Sequence, residues 1–428
     1  MKELLLITLL VLFIYVTHKK NYRNPLGVFV YLWSVVFFLY EFRYLPLYDI
    51  EPSTYMMYFI GISSVAVGYL ISSVLTKKTP ATDTASSINI VSTSTHLKHD
   101  GVNRLIFLTL CGLSIASFGL RAYKAITYWI SGGIGELKSA IIMDQALSIS
   151  LFWDIVFTYI ARPMQYVVAI YFIELLLTKT RDKIVKLVAF CIIILYFVAS
   201  GSKFSLAEYV IFMFAYFLYF PPEKNTQLSS IYKKGMRFAL FMIIIIIGAM
   251  TLSSDNDVLG SLYCYLCGCL PHSDQALEKF TLLPPFLGGV SFNGFLTLIK
   301  TPLAIVGVLD NLQQYGAYCF ETMNMLEETS YIGDGIRYNA FVSMFTYFYI
   351  DGGYPGVFIL SLIFGILCHR TFYYGKRRTS FKSVGMLLLF TYLIISSLIR
   401  SPFFLVTNVL SIFYAYFFLP KYPIYTIK

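Results

Sequence analysis

Residues 185–220 read VKLVAFCIIILYFVASGSKFSLAEYVIFMFAYFLYF, and this stretch decides the fold. It consists of two apolar runs, 185–201 and 204–220, on either side of Ser202 and Lys203. A helix that crosses a bilayer needs about 20 predominantly apolar residues. The stretch therefore predicts two consecutive transmembrane helices joined by a tight turn, and it assigns the chain to the all-α class of membrane proteins.

The rest of the chain continues this pattern. Of the 428 residues, 57% are hydrophobic and only 13% are charged, whereas a soluble domain has about 25% charged residues. This composition excludes a soluble enzyme, a disordered protein and a disulfide-dense secreted scaffold. It predicts a polytopic bundle of about eleven spans. The predicted spans are 3–17, 25–42, 54–75, 105–122, 149–178, 185–201, 204–220, 238–254, 355–373, 383–399 and 403–420.

The distribution of Lys and Arg predicts the orientation of the spans. Six of the connecting or terminal segments contain 22 of the 33 basic residues and only four acids. Cytoplasmic loops are enriched in Lys and Arg, so these segments are predicted to be cytoplasmic, with the N-terminus outside and the C-terminus inside. The net charge of +10 then reflects topology and does not indicate a nucleic-acid-binding surface. The six segments are 18–24, 76–104, 179–186, 221–237, 369–382 and 421–428.

The connecting loops differ greatly in length. We interpret 1–428 as a single integral membrane domain with two long loops. Residues 76–103 are rich in Ser and Thr and predict a flexible cytoplasmic loop. Residues 255–353 form a large, partly apolar extracytoplasmic loop that is predicted to lie on or dip into the membrane. So much sequence on one side indicates that the protein works at its outer face.

Basic residues inside or at the outer ends of spans are candidate ligands for an anion. Arg162 lies within a span, directly before Pro163, and a proline leaves a carbonyl oxygen one turn upstream without its donor. Arginine binds phosphate oxygens through two N–H groups, and lysine binds them as a point charge. One interpretation is a cationic cavity that faces outward. One alternative is that Arg162 pairs with Asp154 or with a freed carbonyl and only shapes the bundle. The other is that the basic residues reach lipid headgroups separately. The candidates at the outer ends are Arg121, Lys203, Arg337 and Arg400.

Acidic residues of the outer loops are candidate general bases. Asp334 and Asp351 come first, with Glu136 and Asp144 in reserve, because a partly desolvated carboxylate can accept a proton. The alternative for each is a solvated loop acid. The run CYLCGCLPH (264–272) leaves three alternatives open: a zinc site, a disulfide that could involve Cys319, or packed thiols. No nucleotide-binding motif is visible, so no cofactor and no metal are expected.

Four short segments resemble the bacterial oligosaccharide repeat-unit polymerases, the Wzy-type O-antigen and capsule polymerases. The main one is NAFVSMFTYFYIDGGYPGVFILSLIFG at 339–365, with an Asn-led aromatic stretch (Asn339) followed by an Asp-Gly turn. The second is YLCGCLPHSDQAL at 265–277. The third is SGSKFSLAEYVIFMF, in which Lys203 takes the place of an arginine, and the fourth is Arg400 before the last span.

This resemblance implies a fold similar to the helical GT-C class of lipid-dependent glycosyltransferases, in the bacterial plasma membrane. The substrate it implies is an undecaprenyl pyrophosphate-linked oligosaccharide. A chain-length regulator and a flippase are the implied protein partners. Arg121, Arg162, Lys203, Arg337 and Arg400 would bind the pyrophosphate, and Asn339 would contact substrate. Asp351 or Asp334 would take the proton from the attacking sugar hydroxyl.

Three other classes of protein remain as alternatives. An O-antigen ligase would use a critical histidine of the large outer loop, where His272 is the only one. A glycolipid flippase would have more spans and shorter loops. A solute transporter would show an internal repeat with broken helices in matched positions, and the sequence has no visible repeat.

Overall fold

The structure is a computed structural model, and nearly all of its described residues belong to helices. It describes residues 1–18, 23–77, 101–142, 147–177, 183–200, 203–220, 258–280, 288–305, 321–322, 325–326, 328–338, 342–376 and 380–419. The helices before the large loop are α1 (Lys2–His18), α2 (Pro25–Phe42), α3 (Pro52–Lys77), α4 (Gly101–Ile142), α5 (Leu151–Val156), a π-helical turn (Phe157–Ala161), α6 (Arg162–Leu177), α7 (Lys183–Ser200) and α8 (Lys203–Tyr219). The later elements are α9 (Val258–Cys267), α10 (Cys269–Phe280), α11 (Asn293–Ile305), strands β1 (Ser330–Gly333) and β2 (Ile336–Tyr338), α12 (Met344–Lys376), α13 (Phe381–Ser396) and α14 (Val406–Phe418).

Six helical stretches are long and apolar enough to cross a membrane. They are Pro25–Phe42, Pro52–Thr76, Arg104–Ser131, Leu151–Ile173, Lys183–Ser200 and Met344–Lys376. Four more predicted spans, at 3–17, 204–220, 383–399 and 403–420, correspond to α1, α8, α13 and α14, which have 13 to 17 residues each. Large apolar side chains such as Leu105, Leu187, Phe358 and Phe417 point out of the bundle. Such a surface suits a lipid environment, and the fold is compatible with a helical membrane protein.

Two helices extend beyond the predicted spans, and one predicted span cannot be compared. Helix α4 continues to Ile142, past the predicted end of its span at 122; the stretch 101–142 contains no proline to stop a helix. Helix α12 begins at Met344, before the predicted start of its span at 355, so Asp351 lies in a helix directly before the break at Gly352 and Gly353. The predicted span 238–254 and nearly all of the predicted loop 76–103 lie outside the described residues.

Helices α3 and α12 approach so closely that their backbones touch. A Cβ atom on Gly68 would lie 2.1 Å from the carbonyl oxygen of Leu362, and one on Gly365 would lie 2.1 Å from that of Val65. Small residues allow this kind of packing in membranes, where lipid removes the hydrophobic drive between helices. The α3–α12 pair is the centre of the larger hydrophobic core, which also includes α1 and α2.

The α2–α3 connection and the large loop meet at one end of the bundle, which we call the hairpin end. Strands β1 and β2 form an antiparallel hairpin. Its strand residue Ile332 accepts a hydrogen bond from the Tyr48 N–H at 2.8 Å. Asp274 of α10 accepts from the Glu51 N–H at 2.9 Å and from the Thr54 hydroxyl, so it caps the start of α3. The β1–β2 hairpin and α10, two described parts of the large loop, are therefore packed onto the bundle.

Candidate functional site

Arg162 follows a π-helical turn that interrupts the long span. The Arg162 N–H donates to the carbonyl of Phe157, five residues earlier. Pro163 has no N–H to offer the Tyr159 carbonyl, and that oxygen accepts instead from the Tyr414 hydroxyl of α14 at 2.8 Å. The disturbance predicted at Arg162–Pro163 is therefore present, and a neighbouring helix supplies the missing donor. Single π-helical turns inside α-helices are frequent at functional sites.

Two of the predicted anion ligands lie against the same aromatic ring. The guanidinium carbon of Arg121, from α4, is 3.6 Å from the Phe157 ring centroid, and that of Arg162 is 5.5 Å from it. In a regular α-helix residues 157 and 162 would face different directions, because five residues make well over one turn. The π-helical turn brings them back onto one face. We call these two side chains the arginine pair.

Each member of the arginine pair has a carboxylate nearby. Arg121 Nη2 donates to Asp154 Oδ1 at 2.9 Å, and the Ser148 hydroxyl donates to the other oxygen of Asp154. Arg162 forms a hydrogen bond with Tyr196 and lies within electrostatic reach of Glu208. The alternative in which Asp154 neutralises Arg162 is thus replaced by an Arg121–Asp154 ion pair.

Glu208 is the centre of a buried polar network that the sequence analysis did not identify as a site. Its oxygens accept from the Tyr166 hydroxyl and the Gln165 amide, both at 2.8 Å, and from the Tyr392 hydroxyl at 3.2 Å. The Tyr209 hydroxyl in turn donates to the side-chain amide oxygen of Gln165, Oε1, at 2.9 Å. The position of Glu208 within a predicted span was a usable sequence signal, because an ionisable residue within a span is a functional candidate by default. The partners were not predictable, since they come from two other helices, α6 and α13.

Asp351 connects α12, at a break in that helix, to the turn before α11. The helix is interrupted at Gly352 and Gly353, and Gly353 has φ 60° and ψ −154°, a conformation essentially restricted to glycine. The buried Asp351 carboxylate accepts from the N–H of Val290 at 3.0 Å and from that of Ser291 at 2.7 Å. These bonds fix the turn that leads into α11.

Arg400 lies beside this connection. The Ser401 hydroxyl donates to the Ser291 carbonyl at 3.0 Å, so the α13–α14 turn is attached to the same residue that Asp351 holds. The half-buried Arg400 guanidinium lies 5.8 Å from the Phe404 ring centroid. We call Asp351, Ser291, Ser401 and Arg400 the Asp351 junction.

The remaining predicted site residues are not joined to these two groups by the described contacts. Asp334 and Arg337 are exposed on the β1–β2 hairpin. Asn339 and Asp144 lie outside the described residues, and only the backbone of Lys203 and Glu136 is described. Within the part of the chain that the structure describes, the predicted cations therefore form the arginine pair, with Arg400 and Arg337 placed separately.

The cysteine-rich run is packed into the protein. Cys264, Cys267 and Cys269 are free thiols, and burial raises the pKa of Cys269 to about 12. Cys319, the proposed disulfide partner, lies outside the described residues. Among the described residues no group of three or more His, Cys, Asp or Glu side chains is placed to hold a metal ion. His272 is buried edge-on against the Tyr338 ring, with 5.7 Å between the ring centroids.

Comparison with protein-family models, with curated proteins and with solved structures found no match. The structure shows a helical fold with six helices long and apolar enough to cross a membrane. It places Arg121 and Arg162 at an interrupted helix and Arg400 at an interhelical turn.

Proposed function

We propose that this chain polymerises lipid-linked oligosaccharide repeat units at the outer face of the bacterial plasma membrane. In this proposal the hairpin end faces outward, the N-terminus is outside, the C-terminus is cytoplasmic, and the fold is GT-C-like with eleven crossings. The substrate is an undecaprenyl pyrophosphate-linked glycan, which is transferred to the next lipid-linked repeat unit.

One observation carries this proposal. Asp351 belongs to one segment of the family resemblance, and Ser401 directly follows Arg400, which is another; Asp351 and Ser401 both bond Ser291. They are about 50 residues apart in the sequence, and nothing in the spacing alone requires them to meet. Asp351 fixes the turn, the turn fixes Ser401, and Arg400 is the adjacent residue. The resembling segments thus act together to position one cation.

The proposed reaction mainly requires positively charged side chains, because negative charge develops on the pyrophosphate leaving group. The acceptor hydroxyl oxygen forms a bond to the anomeric carbon of the donor glycan, and the bond from that carbon to the phosphate oxygen breaks. The electron pair leaves with undecaprenyl pyrophosphate. Arg400 and the arginine pair, together with Lys203 and Arg337, would stabilise that charge. The hydroxyl proton goes to a carboxylate and then to water.

Of the two predicted bases, the exposed Asp334 suits the proton transfer better than Asp351. Both oxygens of Asp351 already accept backbone N–H bonds. We therefore assign Asp351 to positioning Arg400 and Asp334 to proton transfer. His272 is packed against Tyr338, which favours a polymerase over a ligase that would need an accessible histidine.

The test is deletion of the gene in its native host, followed by complementation and gel analysis of the surface glycan. The wild type should restore a long ladder, Arg400→Ala should leave single repeat units on the final carrier, and Arg400→Lys should restore part of the ladder. The control is Lys382→Ala. Lys382 is also a cation against an aromatic ring (Tyr416), but it lies at the start of α13, in the segment 369–382 that is predicted to be cytoplasmic. It should restore the full ladder.

Other outcomes of the deletion favour other classes of protein. Lipid-linked polymer that accumulates while the carrier receives no repeats would identify a ligase. Accumulated inward-facing single units would identify a flippase. An unchanged ladder in a host without a second copy would overturn the glycan assignment in favour of a transporter. A full ladder with Arg400→Ala at normal protein levels would remove Arg400 from the site.

A further inference from the structure

Four charged side chains surround the π-helical turn in an ordered arrangement. Asp154 bonds Arg121, Arg121 and Arg162 share the Phe157 ring, and Arg162 faces Glu208. The formal charges of these four residues sum to zero. In a medium of low polarity, opposite charges in such a group balance one another. Any anion that binds the arginine pair must therefore disturb this balance.

The two carboxylates are held in different ways. Glu208 is buried and accepts three hydrogen bonds from α6 and α13 side chains. The Asp154 side chain is 29% exposed, and it is held by Arg121, by the Ser148 hydroxyl and by the Ile149 N–H. Asp154 lies in the first turn of the short helix α5. Water can therefore replace its donors when it moves away from Arg121, whereas Glu208 is buried and has no access to water.

We propose that Asp154 is an internal competitor at the arginine pair: it occupies the face of Arg121 that a phosphate or diphosphate anion binds, and the anion displaces it. This inference rests on the proposed function, in which the arginine pair binds pyrophosphate. The two oxygens of a carboxylate and those of a phosphate present the same acceptor geometry to a guanidinium. Arg162 and its fixed counter-charge Glu208 remain in place while Arg121 changes partner.

The proposal predicts that removing a negative charge strengthens anion binding. Asp154→Asn keeps the shape of the side chain but cannot neutralise Arg121, so an entering anion no longer competes with a carboxylate. The Asp154 side chain is 29% exposed, so water weakens its attraction to Arg121 and its competition with an entering anion is moderate. We expect the Kd for inorganic pyrophosphate to fall about tenfold. A residue with only a structural role would give the opposite result, since its loss weakens binding.

The experiment uses the full chain in nanodiscs of phosphatidylcholine, with inorganic pyrophosphate titrated by calorimetry. Ser148→Ala is a second variant, because it loosens Asp154 without changing any charge, and it should tighten binding by a smaller factor. Glu41→Gln is the matched control: Glu41 forms an ion pair with Lys2 at 2.6 Å, and its side chain is 27% exposed. It should leave the Kd for pyrophosphate unchanged.

Two measurements keep the result interpretable. Melting temperatures identify any variant that fails to fold, and Ser148→Ala then carries the test alone. Unchanged or weaker binding by a folded Asp154→Asn variant overturns the proposal. In nanodiscs with phosphatidylglycerol, weaker pyrophosphate binding than in phosphatidylcholine would show that a lipid phosphate occupies the same place. Equal binding would assign the site to a free or diphosphate-linked ligand.

The outcomes separate this inference from the proposed function. If Asp154→Asn tightens pyrophosphate binding while gene deletion leaves the surface glycan unchanged, the competitor role stands and the polymerase assignment fails. If deletion shortens the glycan but neither the wild type nor any variant binds pyrophosphate, the polymerase assignment stands and the competitor role fails.

Discussion

Asp154 and Asp351 are two carboxylates placed beside interrupted helices, but Asp154 bonds a guanidinium where Asp351 bonds the backbone of a turn. Asp154 precedes the π-helical turn and accepts from Arg121, from the Ser148 hydroxyl and from the Ile149 N–H. Asp351 precedes the Gly352–Gly353 break and accepts from the N–H groups of Val290 and Ser291. A guanidinium can exchange one anion for another, whereas a backbone amide in a folded turn stays where it is. The guanidinium partner is therefore what allows an entering anion to replace Asp154.

This difference separates a structural junction from a site that responds to a ligand. Burying a carboxylate without partners is costly, so Asp351 and the 288–292 turn stabilise each other and are expected to persist with or without substrate. In the Arg121–Asp154 pair the Arg121 side chain is 6% exposed and the Asp154 side chain is 29% exposed. A buried guanidinium without a partner is costly, so Asp154 can leave when another anion takes its place on Arg121. The predictions below perturb first one side of this comparison and then the other.

The largest expected effect is on the Asp351 junction, through Gly353. Its φ of 60° and ψ of −154° are unfavourable for any residue with a Cβ atom, and such a conformation costs about 1–3 kcal/mol. We expect Gly353→Val to lower the melting temperature markedly and to reduce the amount of inserted protein. The measurement is thermal unfolding of the purified chain together with the yield from membranes.

The neighbouring glycine provides the control. Gly352 has φ −163°, which other residues adopt, and a Cβ atom there would meet open space. Gly352→Ala should therefore unfold close to the wild-type temperature. Equal losses for the two variants would contradict the argument that the conformation of Gly353 maintains the break.

A smaller effect is expected from Asp351→Asn. Asparagine offers one carbonyl oxygen where Asp351 bonds both Val290 and Ser291, so one buried N–H would lose its acceptor. That loss costs about 1–3 kcal/mol. We expect a lower melting temperature and, because Ser291 also holds Ser401, a shortened glycan ladder through displacement of Arg400.

The control for this variant is Asp334→Asn. Asp334 is exposed on the hairpin, so its charge should not affect the melting temperature. If Asp351→Asn melts like the wild type and still shortens the ladder, Asp351 acts in the reaction itself and our assignment of it to positioning is wrong.

Much of the bundle could be predicted from the sequence because apolar length is a local property. The spans at 25–42 and 185–201 match α2 and α7 within a residue or two. Boundaries failed where a local signal was missing: α4 runs past 122 without a proline or a cap to end it. Helix α12 starts at Met344, eleven residues before the predicted span at 355, because Gly352 and Gly353 interrupt it without ending it.

The candidate site was predictable only in part, for a related reason. Arg162 and its freed carbonyl follow from the Arg-Pro dipeptide, and the Tyr159 oxygen indeed has a new donor. The pairing of Arg121 with Asp154, and the Glu208 network, depend on which helices are neighbours. Neither hydropathy nor spacing contains that information. A single cationic cavity was predicted from Arg121, Lys203, Arg337 and Arg400. The described contacts do not join Arg121, Arg337 and Arg400 to one another, and the side chain of Lys203 is not among the described parts.

The smallest expected effect tests the other side of the comparison, at the π-helical turn. Tyr414→Phe removes the hydroxyl that donates to the Tyr159 carbonyl, and one such bond contributes about 0.5–1.5 kcal/mol. Tyr416→Phe, an exposed neighbour in α14, should cost nothing measurable. The sharper measurement is a double-mutant cycle with Pro163→Ala, which returns an N–H that can donate to the same carbonyl. Tyr414→Phe should then cost less in the Pro163→Ala background than in the wild type, whereas strictly additive melting effects would mean that Tyr414 does not substitute for the missing donor.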